Sequence, residues 1–431
     1  MHHGLSVRIA MSVLTEKLAE KIPILRTERA ALLDEYGDKK IADVSVKQIF
    51  GGMRGVRALV CDTSLVDPDK GLIIRGIPVA HLADKLPEEI LVLLLTGELP
   101  EADDLRNLQD DLAGRAKPPA FLWDVLRAMP KDSHPMAMLG AALLAMEKES
   151  VFRSRYDHGM AKHDYWRAAL EDSLNVIAIL PEIAAGIYRI GYDKGPRIAF
   201  KRDLDWSANF AHMLGNDDET FYRYMRLATV VQSDHEGGHP SAFTSHTVGS
   251  VLSNIYYVLS AAFSALAGPL HGLSSQMSLH WVLEAMKKYD GQPSDEQIKE
   301  YAWDTIGSGR VIPGYGHAVL RGQDPRYLAL LAFGEKYCSR DPLFKTVMAM
   351  SRVIPAVLME HGKAKNPWPN VDAINGVLFN HYGINEIPFH TVFFAVALSL
   401  GISAQYVLNR ALGTPIMRPR SVPSQWIKKD V

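Results

Sequence analysis

The chain has 431 residues, 47% of them hydrophobic and 22% charged, which suffices for two or three domain-sized units with a large core and excludes a disordered polymer. A formal net charge of −2 gives no bulk attraction to nucleic acid or to an anionic membrane, so any anion site must be local. Cys61 and Cys338 lie far apart and in no Cys-x-x-Cys or Cys-His spacing, which excludes a disulfide framework and fits a reducing compartment.

In chain order, residues 1–10 lack an apolar stretch of secretory length and carry one arginine, too few for a typical transit peptide; Met11 reads as an alternative start, preceded by a leader or an added remnant. Residues 12–37 predict a charged, peripheral helix pair interrupted at Pro23. Between residues 56 and 79, β-branched residues flank the turn Asp67-Pro68-Asp69-Lys70-Gly71, and this predicts a small β hairpin. Helical spacing follows at 87–96, 101–116, 135–149, 164–189 and 219–233. Residues 240–266 and 272–289, rich in Ala, Ser, Leu and Met, predict helices of a closely packed bundle. Ser294, Asp295 and Glu296 open a helix over 294–306, and further helices are expected over 328–337 and 342–361, before a stiff loop at 363–370. Residues 390–409 carry no formal charge and approach the length of a membrane span. Thr391, Ser399, Gly401, Ser403 and Gln405 punctuate that stretch, so it predicts a helix buried by other helices, with no membrane partner. The fold class is therefore all-α with one minor β element.

Chemistry concentrates at breaks between these helices. His235-Glu236-Gly237-Gly238-His239 matches the H-E-x-x-H zinc pattern in letters only: two glycines cost roughly 2 kcal/mol of helix propensity and Pro240 pushes His239 out of the helical region. No metal site is expected there, and His235 reads either as a satisfied structural histidine or as a pocket residue. His271 sits in a Gly-Pro turn just before a helix, where the positive end of the dipole favours a neutral imidazole able to donate to an oxyanion. Residues 308–327, SGRVIPGYGHAVLRGQDPRY, combine glycines, His317 and the arginines 310, 321 and 326 in a segment too broken to be a helix, which suits an anionic ligand. Asp372 follows the stiff loop and reads first as a helix cap, second as a positioned general base. Taken together, His271, His317 and Asp372 are two neutral acids and one base, the set needed to take a proton from beside a carbonyl and add the carbanion to another carbonyl.

GGMRG at 51–55, SDHEGG at 233–238, GPLHGL at 268–273, SGRVIPGYGHAVLR at 308–321, DPRY at 324–327 and KAKNPWPNVDA at 363–373 resemble citrate synthase of the type found in mitochondria and some bacteria, in the same order and over nearly the whole chain. The resemblance implies an all-α homodimer with a large domain (1–271 and 383–431) and a smaller mobile domain (272–382). It implies condensation of acetyl-CoA with oxaloacetate, then hydrolysis of citryl-CoA, with no permanently bound cofactor and no metal. Asp372 would take the methyl proton, His271 would stabilise the enol oxygen and His317 would polarise the keto acid carbonyl. His235 and Arg326 would hold the keto acid, with Arg418 reaching in from the partner subunit. Coenzyme A would meet Arg54, the backbone around Val311, Ile312 and Gly314, and Ala364, Lys365 and Asn370.

Two positions depart from the family pattern. Leu398 stands where an arginine usually pairs with an oxaloacetate carboxylate, and Lys162 where an arginine for a coenzyme A phosphate is expected. The readings left open are a compensating arginine elsewhere, an altered substrate preference or a paralogue of low activity; within the class the alternative is a 2-methylcitrate synthase using propionyl-CoA. A non-catalytic relative is a further alternative, against which the retained His271, His317 and Asp372 argue. The bacterial cytoplasm is the expected compartment, with the mitochondrial matrix as the alternative.

Overall fold

The structure, a computed structural model, describes residues 12–430. The expectations for residues 1–10 and the start at Met11 lie outside the described residues.

Helices dominate, as expected. The first, Val13–Tyr36, is continuous through Pro23 and is not the expected pair. Ser12 caps it by accepting the Thr15 N–H at 3.3 Å, and Leu14, Leu18 and Ile22 fasten its first half to the core. The hairpin is real but has a third strand. β1 (Ser64–Asp67), β2 (Gly71–Ile74) and β3 (Ile77–Pro78) form an antiparallel sheet in that order, with Ser64 opposite Ile74 and Ile73 opposite Pro78. Its turn is built by the Asp67 carboxylate, which accepts the N–H groups of Asp69 and Lys70 at 2.9 and 2.8 Å.

The apolar stretch at 390–409 lies within the helix His390–Leu412, and 94% of its most apolar window is buried by protein. It packs against Tyr165–Gly191, Pro87–Thr96, Pro240–Ser250 and Ile255–Leu266, so its all-round hydrophobicity is that of a central core helix. Residues 240–266, expected as one run, are two helices. Leu252 takes a left-handed φ of 67°, and Asn254 caps the second helix through the Tyr257 N–H at 3.4 Å. Within 272–382, Ser274–Lys288 packs on Asp372–His381, Asp295–Gly307 on Pro342–His361, and Pro325–Tyr337 on Asp372–His381. Cys61 and Cys338 are both free thiols.

Candidate active site

Two loops are stitched together to build the site. The first joins Asp295–Gly307 to Pro325–Tyr337 and turns through Gly309, Gly314 and Gly316, whose φ angles are 78°, 79° and 86°. At Gly314 a side chain would also meet the Ala373 backbone, because an added Cβ would lie 2.8 Å from that Cα. The second loop leads to Asp372–His381. The Asn370 N–H donates to the Gly314 carbonyl at 2.9 Å and the Gly316 N–H to the Trp368 carbonyl at 3.1 Å. Side chains reinforce this ladder: the Asn370 amide donates to the Gly316 carbonyl at 2.8 Å, and that of Asn366 to the Leu320 and Gly322 carbonyls at 3.0 Å each. The β1–β2 turn supports the first loop from outside, since the Arg321 N–H donates to the Pro68 carbonyl at 2.8 Å.

Asp324 joins the two loops at their base. It caps Pro325–Tyr337 by accepting the Arg326 N–H at 3.0 Å, and its other oxygen accepts the Val371 N–H at 3.2 Å, one residue before Asp372. Burial pushes this carboxyl up, but the charge and hydrogen bonds of Arg326 outweigh it and hold Asp324 below the usual carboxylate range. Asp372 is the first residue of its helix and does not cap it; its own N–H donates to Asn370 Oδ1 at 2.9 Å. Burial pushes the Asp372 carboxyl up to about 6, against a hydrogen bond from Ser274 and the charge of Arg326.

Four imidazoles form a row, and the charge of Arg326 acts on three of them, His235, His239 and His317, as it does on Asp372. Ring centroids are 5.7 Å apart for His235 and His317, 6.0 Å for His235 and His239, and 5.4 Å for His239 and His271. Burial keeps all of them neutral near pH 7. His271 and His317 are pushed down to about 4, the latter with Arg326 contributing; His239 falls to about 3 and His235 well below its ordinary value. The tautomer of His317 is fixed by its backbone: Nδ1 accepts the N–H groups of Val319 and Leu320, at 3.0 Å each, so the ring proton is on Nε2. His271 Nε2 is hydrogen-bonded to Ser241 Oγ at 2.7 Å. A carboxylate of raised basicity among neutral N–H donors can move a proton at a carbon beside a carbonyl while stabilising charge on its oxygen.

The other expected residues are spread around this centre. Arg326 is 6% exposed and paired with Asp324. Val311 is exposed whereas the Ile312 side chain is buried, so position 312 offers only its backbone to a ligand. Ala364, Lys365, Arg54, Lys162 and Arg418 are exposed. Both polar atoms of Asn370 are engaged in holding the loops, which makes it a pin of the site. Leu398 is fully buried. The stretch His235–Glu236–Gly237–Gly238–His239 is not helical and Glu236 has a φ of 56°, so the zinc geometry is absent. Among the described residues no group of three or more His, Cys, Asp or Glu is placed to hold a metal ion.

Sequence reading missed Ser241, Asp324, Asn366 and His239. Asp324 carried a signal in the Asp-Pro-Arg helix start, where a capping carboxylate stands two residues before the arginine. Ser241 and Asn366 act through folding of distant segments and carried none.

The family model described as "Citrate synthase, C-terminal domain" matches residues 52–420. Citrate synthase 4, mitochondrial, of Arabidopsis thaliana is 43% identical over 425 residues, covering 96% of this chain and 90% of that protein. Mitochondrial citrate synthase of Kajikia audax is 44% identical over 422 residues, covering 95% and 90% respectively. Among solved structures, the citrate synthase of Pyrobaculum aerophilum superposes with a TM-score of 0.77 at 28% identity, covering 86% of this chain and 91% of that one.

Proposed function

Because this chain belongs to the citrate synthase family, we infer that it is an acyltransferase that condenses acetyl-CoA with oxaloacetate and hydrolyses the citryl-CoA formed, the citrate-forming reaction of the tricarboxylic acid cycle. The observation that carries the reading is the buried Arg326–Asp324 pair, whose charges act on both the raised Asp372 carboxyl and the neutral His317 imidazole. The names of the matched relatives do not favour the 2-methylcitrate alternative.

In the mechanism we propose, Asp372 removes a methyl proton from acetyl-CoA. Its raised basicity narrows the gap to a thioester α-proton, and the rest must come from stabilising the enol. With Ser241 as the donor to His271 Nε2, the tautomer this mechanism uses, the His271 proton is on Nδ1 and serves the enol oxygen. His317 offers its Nε2–H to the oxaloacetate carbonyl and makes that carbon the electrophile, while Arg326 and His235 hold the keto acid. The enol carbon attacks, and His317 passes its proton to the new alkoxide. Water then cleaves the thioester and releases coenzyme A.

Coenzyme A lies along Arg54, the backbone at Val311, Ile312 and Gly314, and Ala364 and Lys365, with Asn370 bracing the loop. The segment 272–382 acts as a small domain that closes on 1–271 and 383–431 and excludes water; the helices of 272–382 packing on one another support this. Arg418, exposed near the C-terminus, completes the partner subunit's site in a homodimer. The relatives carry "mitochondrial" in their names, which supports the matrix over the expected bacterial cytoplasm. Thiol release from acetyl-CoA on adding oxaloacetate tests the reading. Acetyl-CoA should be turned over well ahead of propionyl-CoA, and equal or reversed turnover would reject acetyl-CoA as the substrate.

A further inference from the structure

His239 is assigned no part in the chemistry above, yet it lies inside the site. Its ring stands between those of His235 and His271, at 6.0 and 5.4 Å. It occupies the N-cap position of Pro240–Ser250 but makes no capping hydrogen bond, so the side chain has turned from that task. Nδ1 and Nε2 are both buried and neither has a hydrogen-bond partner. A buried imidazole with an unmet donor and acceptor is costly to maintain and calls for a ligand that supplies the missing partner. Being neutral, the ring has one N–H to give and one lone pair.

Position 398 explains why a donor is needed here. Leu398 is fully buried and lies one helical turn before Gly401, whose N–H donates to the Ser233 carbonyl at 2.9 Å, two residues ahead of His235. The central helix therefore meets the segment leading into the His235–His239 turn at Gly401, and one turn earlier it carries hydrocarbon at position 398. Arg326 is the guanidinium whose charge reaches His235, His239 and His317 alike. A dicarboxylic keto acid gripped at one end by Arg326 needs a donor for its other oxygens.

We propose that His239 is a substrate-binding residue whose ring N–H donates a hydrogen bond to a carboxylate oxygen of the keto acid, in a site where position 398 presents no charge. The proposal rests on the keto acid reading above. Its test is calorimetric titration of oxaloacetate into the full-length wild type, His239→Leu and His239→Asn, alongside steady-state kinetics with acetyl-CoA. Loss of one hydrogen bond to a charged group predicts binding weaker by about 10- to 100-fold in His239→Leu, with the KM of oxaloacetate rising and that of acetyl-CoA unmoved. His239→Asn, which keeps an N–H donor, should recover most of the affinity. Oxaloacetate affinity within twofold of wild type in His239→Leu, or an equal loss in both variants, would overturn the proposal. Wild-type turnover is read separately: oxaloacetate binding that depends on His239 without thiol release would reject the proposed reaction and leave the His239 contact standing.

Discussion

Asp324 grips Arg326 with both carboxylate oxygens, accepting Nε at 3.0 Å and Nη2 at 2.8 Å in a pair that is almost completely buried. The same carboxylate accepts the N–H of Val371, so the proposed keto acid cation Arg326 and the residue before the proposed base Asp372 are positioned by one side chain.

Asp324→Asn is therefore expected to disturb two functions together. Removing one partner of a buried pair leaves a charge uncompensated, at a cost of about 3 kcal/mol in stability. The freed guanidinium should raise the KM of oxaloacetate about tenfold or more, and the loosened Val371 contact should lower kcat. Urea denaturation with steady-state kinetics measures both; an unchanged oxaloacetate KM in a folded variant would detach Asp324 from the site.

Asp372→Asn separates activity from stability. The folded protein holds this carboxyl at about 6, above its ordinary value of 3.8, so its ionised form is disfavoured by folding. The cost is present above pH 6 and disappears as pH falls from 6 toward 4, where the folded state takes up the proton first. Allowing for partial exposure, the neutral variant should be more stable than wild type by about 1 kcal/mol at pH 7.5, with the gap closing near pH 4.5. Its kcat should fall by about 1000-fold. Thermal melts at both pH values and a thiol-release assay decide the matter.

The pH profile of the free enzyme follows from the same group. Of the three proposed catalytic residues, only Asp372 titrates near pH 6, while His271 and His317 stay neutral down to about 4. The acid limb of kcat/KM should thus fall as one proton is taken up near pH 6, with no second limb from an imidazole above pH 5. A limb that persists unchanged in active Asp372→Glu enzyme would assign it to another group.

The sequence carried most of the helices because their apolar spacing repeats and their ends are marked by Ser, Asp, Pro and Gly. Pro23 misled because a helix can continue through a proline when its flanking turns pack on a core, as Leu14, Leu18 and Ile22 do here. His271, His317 and Asp372 were visible because each stands on a glycine- or proline-marked break. Asp234 was not. Its neighbours Thr63, Ser64 and Gln405 come from segments over 150 residues away in sequence, at 2.6, 2.9 and 2.7 Å, and no local pattern records such a meeting. His239 was visible only as a failed zinc ligand; its role depends on what surrounds the ring in three dimensions.

Gly401 is where the central helix and the His235 turn meet, and Gly401→Ala tests how closely they must fit. An added Cβ would lie 2.5 Å from both the Asp234 Oδ1 and the Ser233 carbonyl oxygen, closer than any real Cβ contact. In a helix the Ala propensity gain is about 1 kcal/mol, so on an open face this change would stabilise. Here the neighbours are a backbone carbonyl and a carboxylate already held by three side chains, and neither can swing away. The helix must shift instead, at a cost of about 1–3 kcal/mol that outweighs the propensity gain. Because Asp234 directly precedes His235, the shift should also raise the KM of oxaloacetate, by about threefold or more, while leaving that of acetyl-CoA near wild type. A Gly401→Ala protein with unchanged melting temperature and unchanged oxaloacetate KM would show that this junction has slack, and that the keto acid pocket is not braced by the central helix.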